Sequence, residues 1–162
     1  MEDNRKNILE VKNLHTYFYT DSGVVKSVDG VDFELKEGAT LGIVGESGSG
    51  KSVTSLSVMG LLAGTTGKIV EGEILLEGKD IAHISEEEKR KLRGSQISMI
   101  FQEPMTSLNP VMKIGKQLTE CILQHQDISK EDAYQKAEDM LRKTGVPRVK
   151  HMMKEYPLQL SG

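Results

Sequence analysis

One cysteine, no tryptophan and four prolines in 162 residues leave little room for several kinds of protein. With Cys121 alone, no disulfide can form within the chain, and nothing points to an oxidising compartment. No stretch approaches the roughly 18 apolar residues of a membrane-spanning helix. The longest apolar window, VTSLSVMGLLAG (53–64), is too short and too polar. The opening MEDNRKNILEVKNL has no apolar core of the secretory kind. Positive charge is not in excess either: 21 Lys and Arg against 24 Asp and Glu give a formal charge of -3. A non-specific nucleic-acid binder would normally be basic, so no nucleic-acid partner is expected. Four histidines lie scattered, without the H-x-x-x-H pairing of a zinc helix. These absences predict a cytosolic chain about one domain long, whose contact with any membrane is indirect.

The first forty residues read as β-structure. ILEVKNLHTYFY (8–19) and VDGVDFEL (28–35) carry apolar residues at mostly alternating positions, with turn signals at Ser22-Gly23 and 36–38. TLGIVG (40–45) is a short apolar run of the kind expected for a strand buried on both faces. Beyond a glycine cluster, Val53, Leu56, Met59 and Leu61 have near-helical spacing, which places a helix start near Gly50. KIVEGEILLEGKDI (68–81) predicts a strand, a turn at Glu77-Gly78 and a short extension. Ser85 and Glu88 have capping-box spacing ahead of a short charged helix, and QISMIFQ (96–102) reads as another strand. The last third is helical: Ile114, Leu118, Cys121 and Ile122 share one face, which predicts a core position for Cys121. Ala133, Ala137, Met140 and Leu141 repeat the spacing behind the N-cap candidate Ser129. Strand–helix alternation in the middle of the chain predicts an α/β core.

The densest signal is GESGSGKS, Gly45 to Ser52, which fits G-x-x-x-x-G-K-[ST] at every fixed position. Glycines at 45, 48 and 50 let the backbone turn tightly and bring N–H groups close to an anion. A helix opening at the end of the loop adds the positive end of its dipole. Lys51 has the reach for β- and γ-phosphates, and the Ser52 hydroxyl suits Mg²⁺. The pattern follows an apolar run and opens a helix, as that chemistry requires. By itself it does not distinguish a kinase from a GTPase, helicase or transporter ATPase.

SMIFQEPMTSLNP (98–110) narrows the choice. It resembles the Q-loop region of ABC-type ATPases, and within them the ATPase subunits of oligopeptide, dipeptide and nickel importers. YPLQLSG (156–162) is similar to the lead-in to the ABC signature, whose family form begins Leu-Ser-Gly-Gly. The resemblance runs from about Leu9 to Gly162 and implies an α/β fold: a P-loop NTPase (ABC ATPase) core with an N-terminal antiparallel β layer and a helical subdomain. Residues 1–102 would form the β layer and P-loop part of the core, and 103–162 the Q-loop and helical subdomain. The fold would be incomplete at the C-terminus, because the Walker B half follows the signature in the family.

The resemblance also implies roles. Gly45, Glu46, Ser47, Gly48, Ser49, Gly50, Lys51, Ser52 and Val53 would line ATP, with Phe18 on the adenine and Tyr17 and Tyr19 as alternatives to it. Ser52 and Gln102 would hold Mg²⁺, and Lys51 and Gln102 would carry the catalytic roles. Ser161 and Gly162 would act in trans, on the nucleotide of a second ABC ATPase subunit. Transmembrane permease subunits would be the other partners, at the cytoplasmic face of the cell membrane. The function implied is ATP hydrolysis coupled to uptake of peptides or nickel. The 162 residues by themselves, read as a chain cut inside the signature, would bind nucleotide weakly and not hydrolyse it efficiently. A non-transport ABC ATPase of DNA repair or translation, a small-molecule P-loop kinase and a non-catalytic short paralogue stay open at this point.

Overall fold

The computed structural model describes residues 5–103 and 107–160. It divides into two compact units, Met1–Arg93 and Gly94–Gly162.

The first unit is built on an antiparallel sheet in the order β2-β1-β3-β4. β1 (Asn7–Thr20) and β2 (Gly23–Lys36) form a long hairpin closed by the two-residue turn Asp21-Ser22, with Thr20 opposite Gly23. β3 (Gly67–Leu76) pairs with the other edge of β1, and β4 (Lys79–Asp80) folds back on β3. The β3–β4 turn is Glu77-Gly78, both at positive φ (50° and 85°), the conformation that matches hairpin twist. Val11, Leu14, Thr16, Val28 and Ile74 are buried. The long alternating strands therefore form where their pattern places them.

The hairpin is not regular. Thr16 lies opposite Val28 but Tyr17 opposite Lys26, so Ser27 is an extra residue in β2, a bulge. α1 (Lys51–Val58) packs Thr54 and Ser57 inward, while Val53 and Leu56 are half-buried. α2 (Glu86–Leu92) begins at Ser85 with the capping box its spacing predicts: Ser85 Oγ accepts from Glu88 N, and Ser85 N donates to the Glu88 carboxylate.

Two predicted strands do not form among the described residues. Segment 40–45 has no strand partner, and Leu41, Ile43 and Val44 are exposed, Val44 at 96%. Residues 98–101 likewise carry no ladder, and Ile100 is 94% exposed. An apolar run records a capacity for burial. A strand also needs a neighbour for its N–H and C=O groups, and neither segment has a ladder partner among the described residues.

In the second unit, α3 (Ile114–His125) and α4 (Lys130–Lys143) are followed by the short α5 (Val149–Met152) and a 3₁₀ turn at Pro157–Gln159. Ala137, Val149 and Met153 form its buried centre, with Leu118, Ile122, Tyr134, Leu141 and Val146 packed on it. Ser129 caps α4 through the Asp132 N–H. Cys121 is exposed, contrary to its predicted place in the core. The packed stripe runs through Leu118 and Ile122, and one residue along a helix turns the side chain by about 100°, which carries Cys121 out of it. Among the described residues no helix is long and apolar enough to cross a membrane.

Candidate functional site

The glycine-rich loop ends where α1 begins, and the backbone there is tightly constrained. Gly50 sits at φ 87°, and a Cβ on it would come within 2.3 Å of the Ser27 carbonyl oxygen. The bulge in β2 is thus the surface against which the loop closes. A Cβ on Gly45 would likewise meet Ser49 Oγ at 2.6 Å, so the start of the loop is folded closely over its own end.

Lys51 is drawn back across that loop. Its ammonium donates to the Gly45 and Glu46 carbonyls, both at 2.7 Å, and to Ser49 Oγ at 3.2 Å. Ser49 N donates to Glu46 O at 3.2 Å. α1 has no side-chain cap and no acidic residue in its first turn. Its leading N–H groups therefore keep their full positive end, which an anion at the loop would satisfy. Ser52 is exposed at the second helical position, and Glu46, Ser47 and Gly48 are exposed along the loop. Val53 is half-buried, and its carbonyl accepts from Ser57 Oγ at 2.8 Å.

The three aromatics of β1 separate by face. Tyr17 donates to Asp29 Oδ1 at 2.5 Å, and Lys26 Nζ lies 5.0 Å from its ring centre. His15 Nδ1 is 2.9 Å from the same carboxylate oxygen. The hydrogen bond from Tyr17, then that from His15, hold the Asp29 carboxyl below its ordinary value. The same bond to Asp29 raises the Tyr17 phenol. Tyr19 is exposed, with Lys68 Nζ 5.7 Å from its ring centre. Phe18 is half-buried, two residues beyond the buried Thr16 and so on the same side of the strand. Its ring lies so close to Gly67 that a Cβ there would be 2.7 Å from Cε1.

Gln102 is exposed in the second unit, in a bend and not at a strand end. Pro104, Ser161 and Gly162 lie outside the described residues. The first unit therefore brings together the loop, α1 and the strand that carries Phe18. Sequence reading passed over Ser27, Thr16 and Ser57. The trace of Ser57 in the sequence is slight: Thr54 and Ser57 are spaced by three in KSVTSLSV, where Ser52 and Ser55 are polar as well.

Comparison with known proteins agrees with this geometry. The chain is 52% identical over 155 residues to the oligopeptide transport ATP-binding protein AppD of Bacillus subtilis, covering 96% of this chain and 47% of that protein. It is 50% identical to the dipeptide transport ATP-binding protein DppD of Lactococcus lactis, covering 96% and 44%. It thus spans about half the length of these relatives. Among solved structures it superposes on the bacterial ABC transporter cassette MJ0796 in its dimeric form, with a TM-score of 0.77, 26% identity, and coverage of 95% of this chain and 63% of that one. The ABC transporter family pattern matches residues 28–162. With its P-loop opening an uncapped helix beside an antiparallel β layer, the chain belongs to the ABC transporter family, in the α/β P-loop ATPase fold of its ATP-binding cassettes.

Proposed function

We propose that this chain is the nucleotide-binding part of an ATPase subunit that drives a peptide-class importer. The observation that carries the proposal is the loop itself: an uncapped α1 N-terminus with an ammonium folded over a tight turn of backbone. These residues suit a polyphosphate, because the unpaired N–H groups at the start of α1 and the Lys51 ammonium converge on the loop. Gly45 to Val53 would hold the phosphates of ATP, with the Lys51 ammonium exchanging its carbonyl partners for phosphate oxygens. Phe18 would stack on the adenine. Ser52 and Gln102 would hold Mg²⁺, which when bound offsets the charge between the phosphates.

The relatives named above are called transport ATP-binding proteins for oligopeptides and dipeptides. Their identity to this chain favours an importer subunit over an ATPase of DNA repair or translation. In the full protein, permease subunits in the membrane would receive the helical unit, with the ATPase at the cytoplasmic face. Two ATPase subunits would close on two nucleotides, Ser161 and Gly162 of each meeting the nucleotide of the other. The cargo would be a peptide, or nickel.

The test is Lys51→Ala in the full-length chain, with Mg-ATP binding measured by calorimetry. Removing a charge-assisted contact of about 1.5–3 kcal/mol should weaken binding by roughly ten- to a hundredfold. Unchanged affinity would overturn the site. Phosphate released without a phosphorylated small-molecule product separates the ATPase from a kinase.

A further inference from the structure

Thr16 and Ser57 form a hydroxyl pair that the phosphate site does not use. Thr16 is 0% exposed and Ser57 2%, and their oxygens are 2.9 Å apart. Ser57 Oγ donates to the Val53 carbonyl at 2.8 Å. A serine hydroxyl has one proton, so Ser57 accepts from Thr16, and the direction of the pair is fixed. The chain of bonds runs from Thr16 Oγ1 to Ser57 Oγ and on to the first turn of α1. At one end is the strand that carries Phe18, two residues on and on the same face. At the other is the helix that begins with Lys51 and Ser52.

We propose that Thr16 and Ser57 are positioning residues that fix the β layer against α1, and so set how much the base adds to the affinity supplied by the phosphates. This rests on the reading of Gly45–Val53 as the phosphate site and Phe18 as the base contact. A helix packed on a sheet through aliphatic side chains can slide along it, whereas a buried hydroxyl pair is satisfied at one setting only, because leaving it unmade strands polar atoms. The loop has its own seat, Gly50 against Ser27, which lies in β2. Because β1 stays paired with β2, losing the pair should let the hairpin pivot against α1 about that seat, displacing the aromatic while leaving the phosphate loop in place.

The experiment measures Kd for Mg-ATP and for Mg-tripolyphosphate, which has no base, in the full-length chain. Thr16→Val keeps the volume and removes the donor. It should weaken ATP binding roughly three- to tenfold, the size of one buried hydrogen bond, and leave tripolyphosphate within about twofold. Thr16→Ser should restore ATP binding. Equal weakening of both ligands, or no change in either, overturns the proposal. Should Thr16→Val fail to fold, Ser57→Ala is read in the same way. Phe18→Ala and Lys51→Ala separate the premises. If Phe18→Ala spares the preference for ATP, the base contact and the positioning role fail together. If Lys51→Ala leaves tripolyphosphate binding intact, the phosphate site fails. If both variants lose binding as expected and Thr16→Val does not, the positioning role alone is wrong.

Discussion

Gly50→Ala is the sharpest test of how the loop is held, because the structure supplies a built-in control. Gly48 and Gly50 have nearly the same φ, 82° and 87°, but a Cβ on Gly48 meets nothing within 4 Å, while one on Gly50 is 2.3 Å from the Ser27 carbonyl. Alanine at either position carries the left-handed penalty of about 1–2 kcal/mol. At Gly50 it must also push the bulge or the start of α1 aside, an overpacking cost of about 1–3 kcal/mol. Taking central values, Gly48→Ala should lose about 1.5 kcal/mol and Gly50→Ala about 3.5, and the gap of about 2 kcal/mol is about 4–8 °C in Tm for a domain of this size. The assay is thermal unfolding of the nucleotide-free full-length chain, followed by circular dichroism, so that ligand contacts cannot mask the backbone effect. Equal melting points for the two variants would refute the claim that the bulge is the seat of the loop.

Three further outcomes follow from particular residues. Met153 is 2% exposed at the centre of the helical unit, so Met153→Ala should cost about 2–5 kcal/mol, seen as a lower Tm; a loss under about 1 kcal/mol would contradict the packing. The Glu88 carboxyl is held below its ordinary 4.5, chiefly by the hydrogen bond from Ser85. A depressed folded value means that the capping contribution is complete above the unfolded pKa and is lost as pH falls through the folded one. Glu88→Gln, which keeps the cap geometry but cannot ionise, should therefore flatten the fall of Tm below pH 4.5, and parallel curves would sink the assignment. Cys121, being exposed, should react with Ellman's reagent in the native protein about as fast as in the unfolded one; strong protection would return it to the core.

Much of this fold was legible because the local signals agree with what the tertiary structure asks. The β1–β2 hairpin, the Glu77-Gly78 turn, the caps at Ser85 and Ser129 and the helix opening after Gly50 all form where the sequence places them. Segments 40–45 and 96–102 read as strands because apolar runs do not reveal whether a partner is present. Cys121 was misplaced because a stripe of four positions leaves its edges undefined. The bulge at Ser27 left no mark in the pattern, since Lys26 and Ser27 fall just before the alternating stretch 28–35 that predicts the second strand. Its position depends on the register with β1, a non-local property. The Thr16–Ser57 pair was hidden for a similar reason: the partners are 41 residues apart, and neither is an unusual residue for its element.

The bulge also bears on self-association. In the order β2-β1-β3-β4, β2 is an edge of fourteen residues, long enough to template pairing with a second copy. Yet β2 carries two bulge residues, Gly30 and Ser27, offset by two in β1, and each interrupts the regular spacing of its outward N–H and C=O groups. Lys26 and Asp29 bring charge to the same stretch of that edge. The irregularity that receives the glycine-rich loop on one side thus leaves a poor template on the other, and one local defect serves both the seat of that loop and resistance to aggregation.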